Sequence, residues 1–231
     1  MSKAVVYDAV ADAVAGIEDG AVLLVSGFGG VGMPAQLIGG VIDAGAKDLV
    51  VVSNNAGTGE QGLAALLATG RVRKFVCSFP RQSDSTVFDG LYRRGAIELE
   101  LVPQGTLAER IRAAGAGIGA FYCRTSVGTA LAEGKETKTI NGREYVLEYP
   151  IFGDVALIAA DRADTAGNLV YRKTARNFSP VMATAARTVI AQVNEVVPLG
   201  GLDPEAVVTP GIFVDRVLCS MGINGNRGRR E

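Results

Sequence analysis

The chain has 231 residues, 48% of them hydrophobic, and a formal net charge of −1 at neutral pH. A sequence of this length and composition can bury a sizeable core, most simply as one domain. The net charge shows no excess of basic residues of the kind that nucleic-acid binding needs. No apolar run approaches the roughly 18 residues of a membrane span, and the N-terminus shows no signal-peptide pattern. We therefore expect a cytoplasmic protein.

Helical and strand patterns alternate along the first half of the chain. The predicted elements are a helix at 4–17, a strand at 22–26, a helix at 34–44 closed by Gly45, a strand at 49–53, a helix at 61–68, a strand at 75–78, a helix at 84–94 and a strand at 97–102. The segment 49–53 is continuously apolar, as a buried parallel strand requires, whereas 97–102 alternates with period two and predicts an edge strand or one with an exposed face. A further helix is predicted at 106–114, with Thr106 and Glu109 as a capping box.

The second half of the chain interrupts this alternation with a hairpin. Two strand-like segments, 136–140 and 143–147, flank Asn141-Gly142. This dipeptide predicts a type I′ turn between two antiparallel strands. The remaining predicted elements are strands at 155–160 and 188–193 and a helix at 179–186.

This order of elements predicts an α/β fold. We expect a mainly parallel sheet flanked by helices, with an inserted antiparallel hairpin. No repeat, low-complexity block or long linker divides the chain, so residues 1–222 are predicted to form a single domain. Residues 223–231, which end in a basic run, are predicted to be a disordered tail.

The segment 27–34, between the first predicted strand and the following helix, is rich in glycine. Its glycines are Gly27, Gly29, Gly30 and Gly32, with Phe28 between the first two. Glycines let main-chain N–H groups turn toward one point, and a helix N-terminus adds its dipole, so the segment predicts a nest for a phosphate, carboxylate or oxyanion. It lacks the Gly-Lys-Ser/Thr of a Walker loop and matches the dinucleotide fingerprint only loosely. A tight turn without a ligand is the alternative.

Polar residues also follow the other predicted strands of this half. Asn54 and Asn55 offer two neutral amides, Gln104 offers a third, and Arg81 carries a planar fork suited to a carboxylate. Because ligands of open α/β sheets bind beyond the carboxyl ends of the strands, these loops predict one shared site for an anionic acyl compound. Taken singly, each loop fits a structural turn or a solvated side chain equally well.

The reactive residue types limit the chemistry of such a site. The chain has no histidine, which excludes Ser-His-Asp and Cys-His catalysis and histidine-ligated metals within it, and we expect no metal site. Cys77, Cys123 and Cys219 are far apart and are interpreted as reduced thiols with a packing role. No nucleophile is obvious, because Glu60 and Asp84 are interpreted as acidic groups in the first turns of helices.

A series of short motifs follows in fixed order along nearly the whole chain. They are Asp19-Gly20, Gly27-Phe28, Gly32-x-Pro34, Ser53-Asn54-Asn55, 103–112, 115–121, 134–136, Gly167-Asn168, Tyr171-Arg172, 175–178 and 209–214. In this order they resemble the A (alpha) subunit of family I coenzyme A transferases. The segment 78–85 is similar to the branch of that family that acts on 3-oxoadipate, with the acetoacetate-using branch as the alternative. Ser26 departs from the family, which usually has glycine there, and we expect little effect from it.

The resemblance implies a ping-pong transfer of CoA from succinyl-CoA to a 3-oxo acid, through a glutamyl-CoA thioester on a partner B subunit. It implies that Gln104 helps to form an oxyanion hole and that Asn54 and Asn55 position the thioester or the attacking carboxylate. The glycine segment would lie in a cleft between the two different chains, with 171–178 supporting that interface. No permanently bound cofactor is expected, since the CoA thioester is a substrate, and the B subunit would complete a heterodimer or heterotetramer. Arg81 as the anchor for the distal carboxylate of a dicarboxylic acid is our own hypothesis.

Other function classes are left open by the residues themselves. A sugar-phosphate isomerase of related α/β architecture would need its own carboxylate or lysine base at the rim. A sensing domain would bind an acyl-CoA or a sugar phosphate without turnover. A nicotinamide oxidoreductase fits least, because Ser53-Asn54-Asn55 is neutral where a dinucleotide-binding fold has an acidic residue for the ribose.

Overall fold

The computed structural model describes residues 4–82 and 84–220, and its centre is an eight-stranded sheet. The strands are β1 (Val5–Tyr7), β2 (Val22–Val25), β3 (Leu49–Val52), β4 (Val72–Cys77), β5 (Glu98–Leu101), β6 (Phe121–Cys123), β7 (Thr137–Ile140), β8 (Arg143–Glu148), β9 (Gly153–Ala159), β10 (Arg162–Asp164), β11 (Leu169–Val170), β12 (Ala186–Val193), β13 (Glu195–Val197) and β14 (Arg216–Cys219). The α-helices of the described residues are α1 (Val10–Ala13), α2 (Ala35–Ala44), α3 (Leu63–Ala68), α4 (Thr86–Arg93), α5 (Gln104–Gly115) and α6 (Ser179–Ala183). The central sheet has the order β1-β14-β12-β9-β2-β3-β4-β5, and all neighbouring strands in it are parallel. The predicted α/β class with a mainly parallel sheet is confirmed.

Apolar side chains of the central strands pack on both faces of the sheet. Leu23 and Val51 belong to one core, and Leu24 and Val50 belong to the other, because successive side chains of a strand point to opposite faces. Helices α1 to α4 contribute to the first core, and α5 and α6 contribute to the second. With both faces covered, the carboxyl ends of the strands are the part of the sheet left open to a ligand.

Two three-stranded sheets complete the described structure. One has the order β6-β8-β7 and is antiparallel. Its β7 and β8 are joined by Asn141 and Gly142, whose φ angles are 50° and 72°, as a type I′ turn requires. The predicted hairpin is therefore confirmed. The other small sheet has the order β11-β10-β13 and was not predicted.

Strand β5 lies at the edge of the central sheet, which confirms the prediction for 97–102. It carries Glu100, whose carboxylate lies 2.8 Å from Lys74 Nζ and 2.8 Å from an Arg110 guanidinium nitrogen. Burial opposes ionisation of Glu100, but these two basic groups outweigh it and hold the pKa of the carboxyl below its ordinary value. Charged groups along an edge strand also discourage pairing with another chain.

Two local predictions are wrong. Residues 4–17 do not form one helix, since they contain β1 and the short α1, and β1 pairs with β14 at the far end of the chain. The β-branched and aromatic residues of β1 suit a strand once that partner is present. Thr106 is not a helix cap, because α5 begins at Gln104 after Pro103 and Thr106 lies buried within its first turn.

The remaining predicted helices and strands are present with shifted ends. The predicted tail at 223–231 lies outside the described residues, and a single domain over 1–222 stays a prediction. Across 4–82 and 84–220, no helix is both long and apolar enough to cross a membrane.

Candidate active site

Residues 27–32 form a tight turn at the carboxyl end of β2, here called the glycine turn. Phe28 and Val31 face each other across it, each N–H donating to the other's carbonyl at 3.0 and 3.1 Å. Gly29 and Gly30 form the tip, and Gly29 has a φ of 63°, which favours glycine. Within the described residues, the N–H groups of Gly29 and Gly30 donate to no protein acceptor. These two donors are therefore open to a ligand.

Ser26 fixes the base of the glycine turn from inside the protein. Its side chain is fully buried, its hydroxyl donates to the carbonyl of Gly32 at 2.9 Å, and it accepts from the N–H of Ala159 at 3.2 Å. The hydroxyl thus ties the exit of the turn to β9. A glycine at position 26 would leave both partners without this hydrogen bond.

The N-terminus of α2, which follows the glycine turn, is not open to an anion. The side-chain carbonyl of Gln192, on β12, accepts from the N–H groups of Gln36 and Leu37 at 2.9 and 3.4 Å. These are donors of the first turn of the helix, which otherwise lack partners. The first-turn N–H groups of α2 therefore bond to Gln192, and the donors left open to an anion are those of the turn tip. The anion nest of the glycine turn stays a prediction.

Asn54 and Asn55 lie at the carboxyl end of β3, next to the glycine turn. Asn55 is fully buried, its side-chain carbonyl accepts from the Gly57 N–H at 3.0 Å, and its Nδ2 lies 3.5 Å from the carbonyl oxygen of Gly29. Asn54 is held by the residue that follows β4, because the hydroxyl of Ser78 donates to its Oδ1 at 2.7 Å. The structure therefore brings both predicted amides and the glycine turn together.

The amide nitrogen of Asn54 is a further open donor. It has no acceptor among the described residues. The fully buried, unpaired side-chain atoms of these residues are the hydroxyls of Ser53, Ser126 and Ser220. The Asn54 nitrogen is not among them, so it keeps some contact with the surface. Its carbonyl is already occupied by the Ser78 hydroxyl. Asn54 thus presents a fixed neutral donor at the same edge of the sheet as Gly29 and Gly30.

A groove of about 700 Å³ runs beside the glycine turn. Among its lining residues are Gly29, Gly30, Gly59, Glu60 and Asp84. The interpretation of Glu60 and Asp84 as first-turn residues of helices is wrong, because α3 begins at Leu63 and α4 at Thr86. Both carboxylates instead face the groove and make it a poor place for another anion.

Gln104 and Arg81 lie farther from the glycine turn than Asn54 and Asn55 do. Gln104 is exposed as the first residue of α5, and since β5 lies two strands from β3, it starts roughly 10 Å across the sheet from Asn54. Arg81 is engaged by Asp89 of α4, with its Nε 2.7 Å from a carboxylate oxygen. The structure places neither side chain in contact with the glycine turn.

The segment after β11 places positive charge beside the glycine turn. A shallow cavity of about 750 Å³ is lined by Phe28 and Val31 from the turn and by Lys173 and Arg176 from this segment. Arg172 and Lys173 also line a neighbouring cavity of about 390 Å³, where Asp161 is the single acidic residue among the lining residues. Anionic groups near the turn therefore meet cations on this side and carboxylates on the groove side.

The three cysteines differ in their environments. Cys77 and Cys219 are buried, and Cys123 is half-buried. Burial raises the pKa of the Cys77 thiol to about 12. Burial also opposes ionisation of Cys123, but hydrogen bonds from Thr125 and Thr106 outweigh it and lower the pKa of that thiol below its ordinary value. The packing role predicted from the sequence fits Cys77 and Cys219 better than Cys123.

Comparisons with known proteins agree on one family. The family model described as coenzyme A transferase matches residues 7–220. The chain is 64% identical over 216 residues to the A-type subunit of 3-oxoadipate CoA-transferase from Pseudomonas putida, with 94% of each chain covered. It is 52% identical over 202 residues to the A-type subunit of a probable succinyl-CoA:3-ketoacid coenzyme A transferase from Bacillus subtilis, with 87% of this chain and 84% of that one covered.

A solved structure shares the fold. The crystal structure of an acyl-CoA transferase from Escherichia coli O157:H7 matches 99% of this chain with a TM-score of 0.85 and 23% identity. The match covers 49% of that protein, so the present chain spans about half its length. The relatives from P. putida and B. subtilis are each named as one subunit, which fits a chain that needs a partner.

Proposed function

Because the chain belongs to the coenzyme A transferase family, we propose that it is the A-type subunit of an enzyme that moves CoA from succinyl-CoA to 3-oxoadipate. The observation that carries this choice of acid is the 64% identity to the relative named for 3-oxoadipate, against 52% to the one named for succinyl-CoA and a 3-ketoacid. Acetoacetate is the second candidate acid, supported by the latter relative. The enzyme is proposed to be cytoplasmic and to hold no resident cofactor, with the CoA thioester entering as a substrate.

The chemistry needs a carboxylate nucleophile and hydrogen-bond donors. In the mechanism that the family implies, a glutamate of the partner chain attacks the thioester carbonyl, and the CoA thiolate leaves. The thiolate then attacks the glutamyl carbonyl of the resulting anhydride, which releases succinate and leaves CoA bound to the glutamate as a thioester. The second acid reverses these steps. A carboxylate attacks without losing a proton, which fits a chain that has no histidine.

The open donors of this chain suit the oxyanion that forms when the carbonyl is attacked. The Asn54 amide nitrogen and the tip N–H groups of Gly29 and Gly30 are neutral, held in place and without protein acceptors in the described residues. Fixed neutral donors of this kind contribute about 3 kcal/mol each to transition-state stabilisation. Asn55 is proposed to support this geometry through its contact with the turn, and Phe28, Gly27 and Gly32 shape the surface around it.

Gln104 is proposed as a further oxyanion donor from the opposite side of the substrate. It is exposed at the N-terminus of the 12-residue helix α5, and its amide must extend across the sheet edge to reach the thioester. This role predicts that Gln104→Ala lowers kcat for both acids alike, because the oxyanion is common to them. Gln104→Glu, which replaces a donor by a charge of the wrong sign, is expected to lower it further.

Arg81 is proposed to hold the distal carboxylate of 3-oxoadipate by exchanging its present partner, Asp89, for the substrate. The Arg81 side chain is 57% exposed, and an exposed ion pair of this kind contributes little free energy, about 1 kcal/mol or less, so the exchange is easy. Arg81→Met is then expected to raise KM for 3-oxoadipate far more than KM for acetoacetate, which lacks that carboxylate. Equal KM values for wild type and variant on 3-oxoadipate would remove Arg81 from the site.

The function is tested by co-expressing the chain with a B-type partner, followed by assays of CoA transfer from succinyl-CoA to 3-oxoadipate and to acetoacetate. Each chain is also assayed alone. We expect activity only in the pair, with the higher kcat/KM on 3-oxoadipate. Preference for acetoacetate would select the second candidate, and turnover by this chain alone or an inactive pair would refute the proposed function.

A further inference from the structure

A single side chain, that of Asn177, ties the glycine turn to the segment that follows β11. Its Oδ1 accepts from the N–H groups of Gly27 and Phe178, at 3.2 and 2.7 Å. Its Nδ2 donates to the carbonyls of Val31 and Thr174, at 3.0 and 3.1 Å. The amide thus joins the entry and the exit of the turn to its own segment, and all donors and acceptors of the Asn177 side chain are paired.

The two segments are also in close backbone contact at Gly32. A Cβ atom at Gly32 would lie 2.4 Å from the carbonyl oxygen of Ala175 and 2.8 Å from Nδ2 of Asn177. Gly32 has a φ of 73° as well, so both space and conformation require glycine there. The turn therefore has little freedom to move away from Asn177 while these contacts hold.

We propose that Asn177 is a positioning residue, which holds the glycine turn so that the N–H groups of Gly29 and Gly30 point at the reacting acyl group. The proposal rests on the proposed function for its catalytic consequence. Asn177 uses up its donors and acceptors on the main chain, so it acts through the turn and does not contact the substrate. Its geometry needs an amide in particular, because the side chain must donate to two carbonyls and accept from two N–H groups at once.

Substitution of Asn177 by aspartate removes the donor function of the side chain and keeps its acceptor function, with almost no change of shape. Asn177→Asp keeps the acceptor for Gly27 and Phe178 but replaces the donor to Val31 and Thr174 by an oxygen that repels their carbonyls. A shift of the turn by about 1 Å is enough to cost roughly 100-fold in rate when donors must meet a transition state. We therefore expect Asn177→Asp to lower kcat by about 10- to 100-fold, with a much smaller change in KM.

The experiment uses the complete complex with its partner chain. Wild type, Asn177→Asp and Asn177→Ala are compared by steady-state kinetics and by hydrogen exchange of the main-chain amides. The control is Asn141→Asp, which makes the same chemical change in the turn between β7 and β8. Phe28 and Val31, whose N–H groups bond across the glycine turn, report whether the turn opens.

The expected result is a fall in kcat together with faster exchange at Phe28 and Val31, while exchange in the central strands and in the Asn141→Asp control stays as in wild type. Unchanged kcat in Asn177→Asp would overturn the proposal. A loss of kcat with normal exchange in the turn, or faster exchange throughout the chain, would also overturn it. If the wild-type pair transfers no CoA, the proposed function fails, but the exchange measurement still decides whether Asn177 holds the turn.

Discussion

Ser26 and Ser53 offer a matched test of the hydrogen bonds beneath the site. Each is the first residue after one of two neighbouring parallel strands, β2 and β3, and each is fully buried. The hydroxyl of Ser26 bonds to Gly32 and Ala159, whereas that of Ser53 has no partner within the described part of the chain. Substitution of each serine by alanine therefore removes the same hydroxyl from two similar positions, with different expected effects on the free energy of unfolding.

The magnitudes follow from what each hydroxyl does. Ser26→Ala removes two hydrogen bonds and leaves the Gly32 carbonyl and the Ala159 N–H without this partner, which costs about 2–3 kcal/mol of unfolding free energy. Ser53→Ala removes a buried hydroxyl that gains nothing in the folded state, so its effect is neutral or stabilising by up to about 1 kcal/mol. Ser26→Gly, the residue usual in the family, is expected to cost at least as much as Ser26→Ala.

The assay is urea denaturation of wild type and both alanine variants, each assembled with the same partner chain, with the free energy of unfolding taken from the midpoint and slope. We expect the two variants to differ by about 2–4 kcal/mol, with Ser53→Ala at or above wild type. Equal destabilisation by the two substitutions, or a larger loss at Ser53, would contradict the roles assigned to the two hydroxyls. A loss of less than about 1 kcal/mol at Ser26 would contradict them as well, and would agree with the little effect that the sequence predicts for its departure from the family.

Three other predictions concern separate parts of the fold. Iodoacetamide at pH 8 is expected to modify Cys123 well before Cys77, as measured by peptide mass spectrometry, because the thiol pKa is lowered in Cys123 and raised to about 12 in Cys77. Lys74 and Arg110 hold the pKa of Glu100 in the folded protein below its value in the unfolded chain, despite burial. The ionised Glu100 therefore stabilises the fold at pH values above its unfolded pKa, and this stabilisation is lost as the pH falls through its folded pKa. The gap in melting temperature between wild type and Glu100→Gln should therefore shrink between pH 7 and pH 3.5, and a constant gap would contradict this. Gly32→Ala, whose Cβ would lie 2.4 Å from the carbonyl oxygen of Ala175, should abolish most activity, and near-normal kcat would show that the turn can move freely.

The central strands could be predicted from the sequence because their signal is local. A continuous apolar run such as Leu49–Val52 is typical of a strand buried on both faces. The helix predicted at 4–17 was wrong because the partner that makes Val5–Tyr7 a strand is β14, at the other end of the chain. A pattern within a dozen residues carries no information about such a partner.

The same limit applies to the site. Asn54, Asn55 and the glycine turn were predictable, since each directly follows a predicted strand and parallel strands end at one edge. The sequence analysis did not identify Gln192, because the helix that it caps lies far away in sequence. Its position next to the apolar run Val189–Ala191 of β12 was a usable signal. Asn177 was part of a recognised motif, but its four hydrogen bonds become visible only when the turn and its segment are folded together.

In the proposed enzyme, this chain provides hydrogen-bond donors and its partner provides the nucleophile. The most direct measurement is to incubate the complete complex with succinyl-CoA, trap the covalent intermediate by rapid denaturation and weigh both chains by mass spectrometry. We expect a CoA adduct on a glutamate of the partner chain, together with an unmodified mass for this chain. An adduct on this chain, at Glu60 or Asp84 in the groove beside the glycine turn for example, would contradict it.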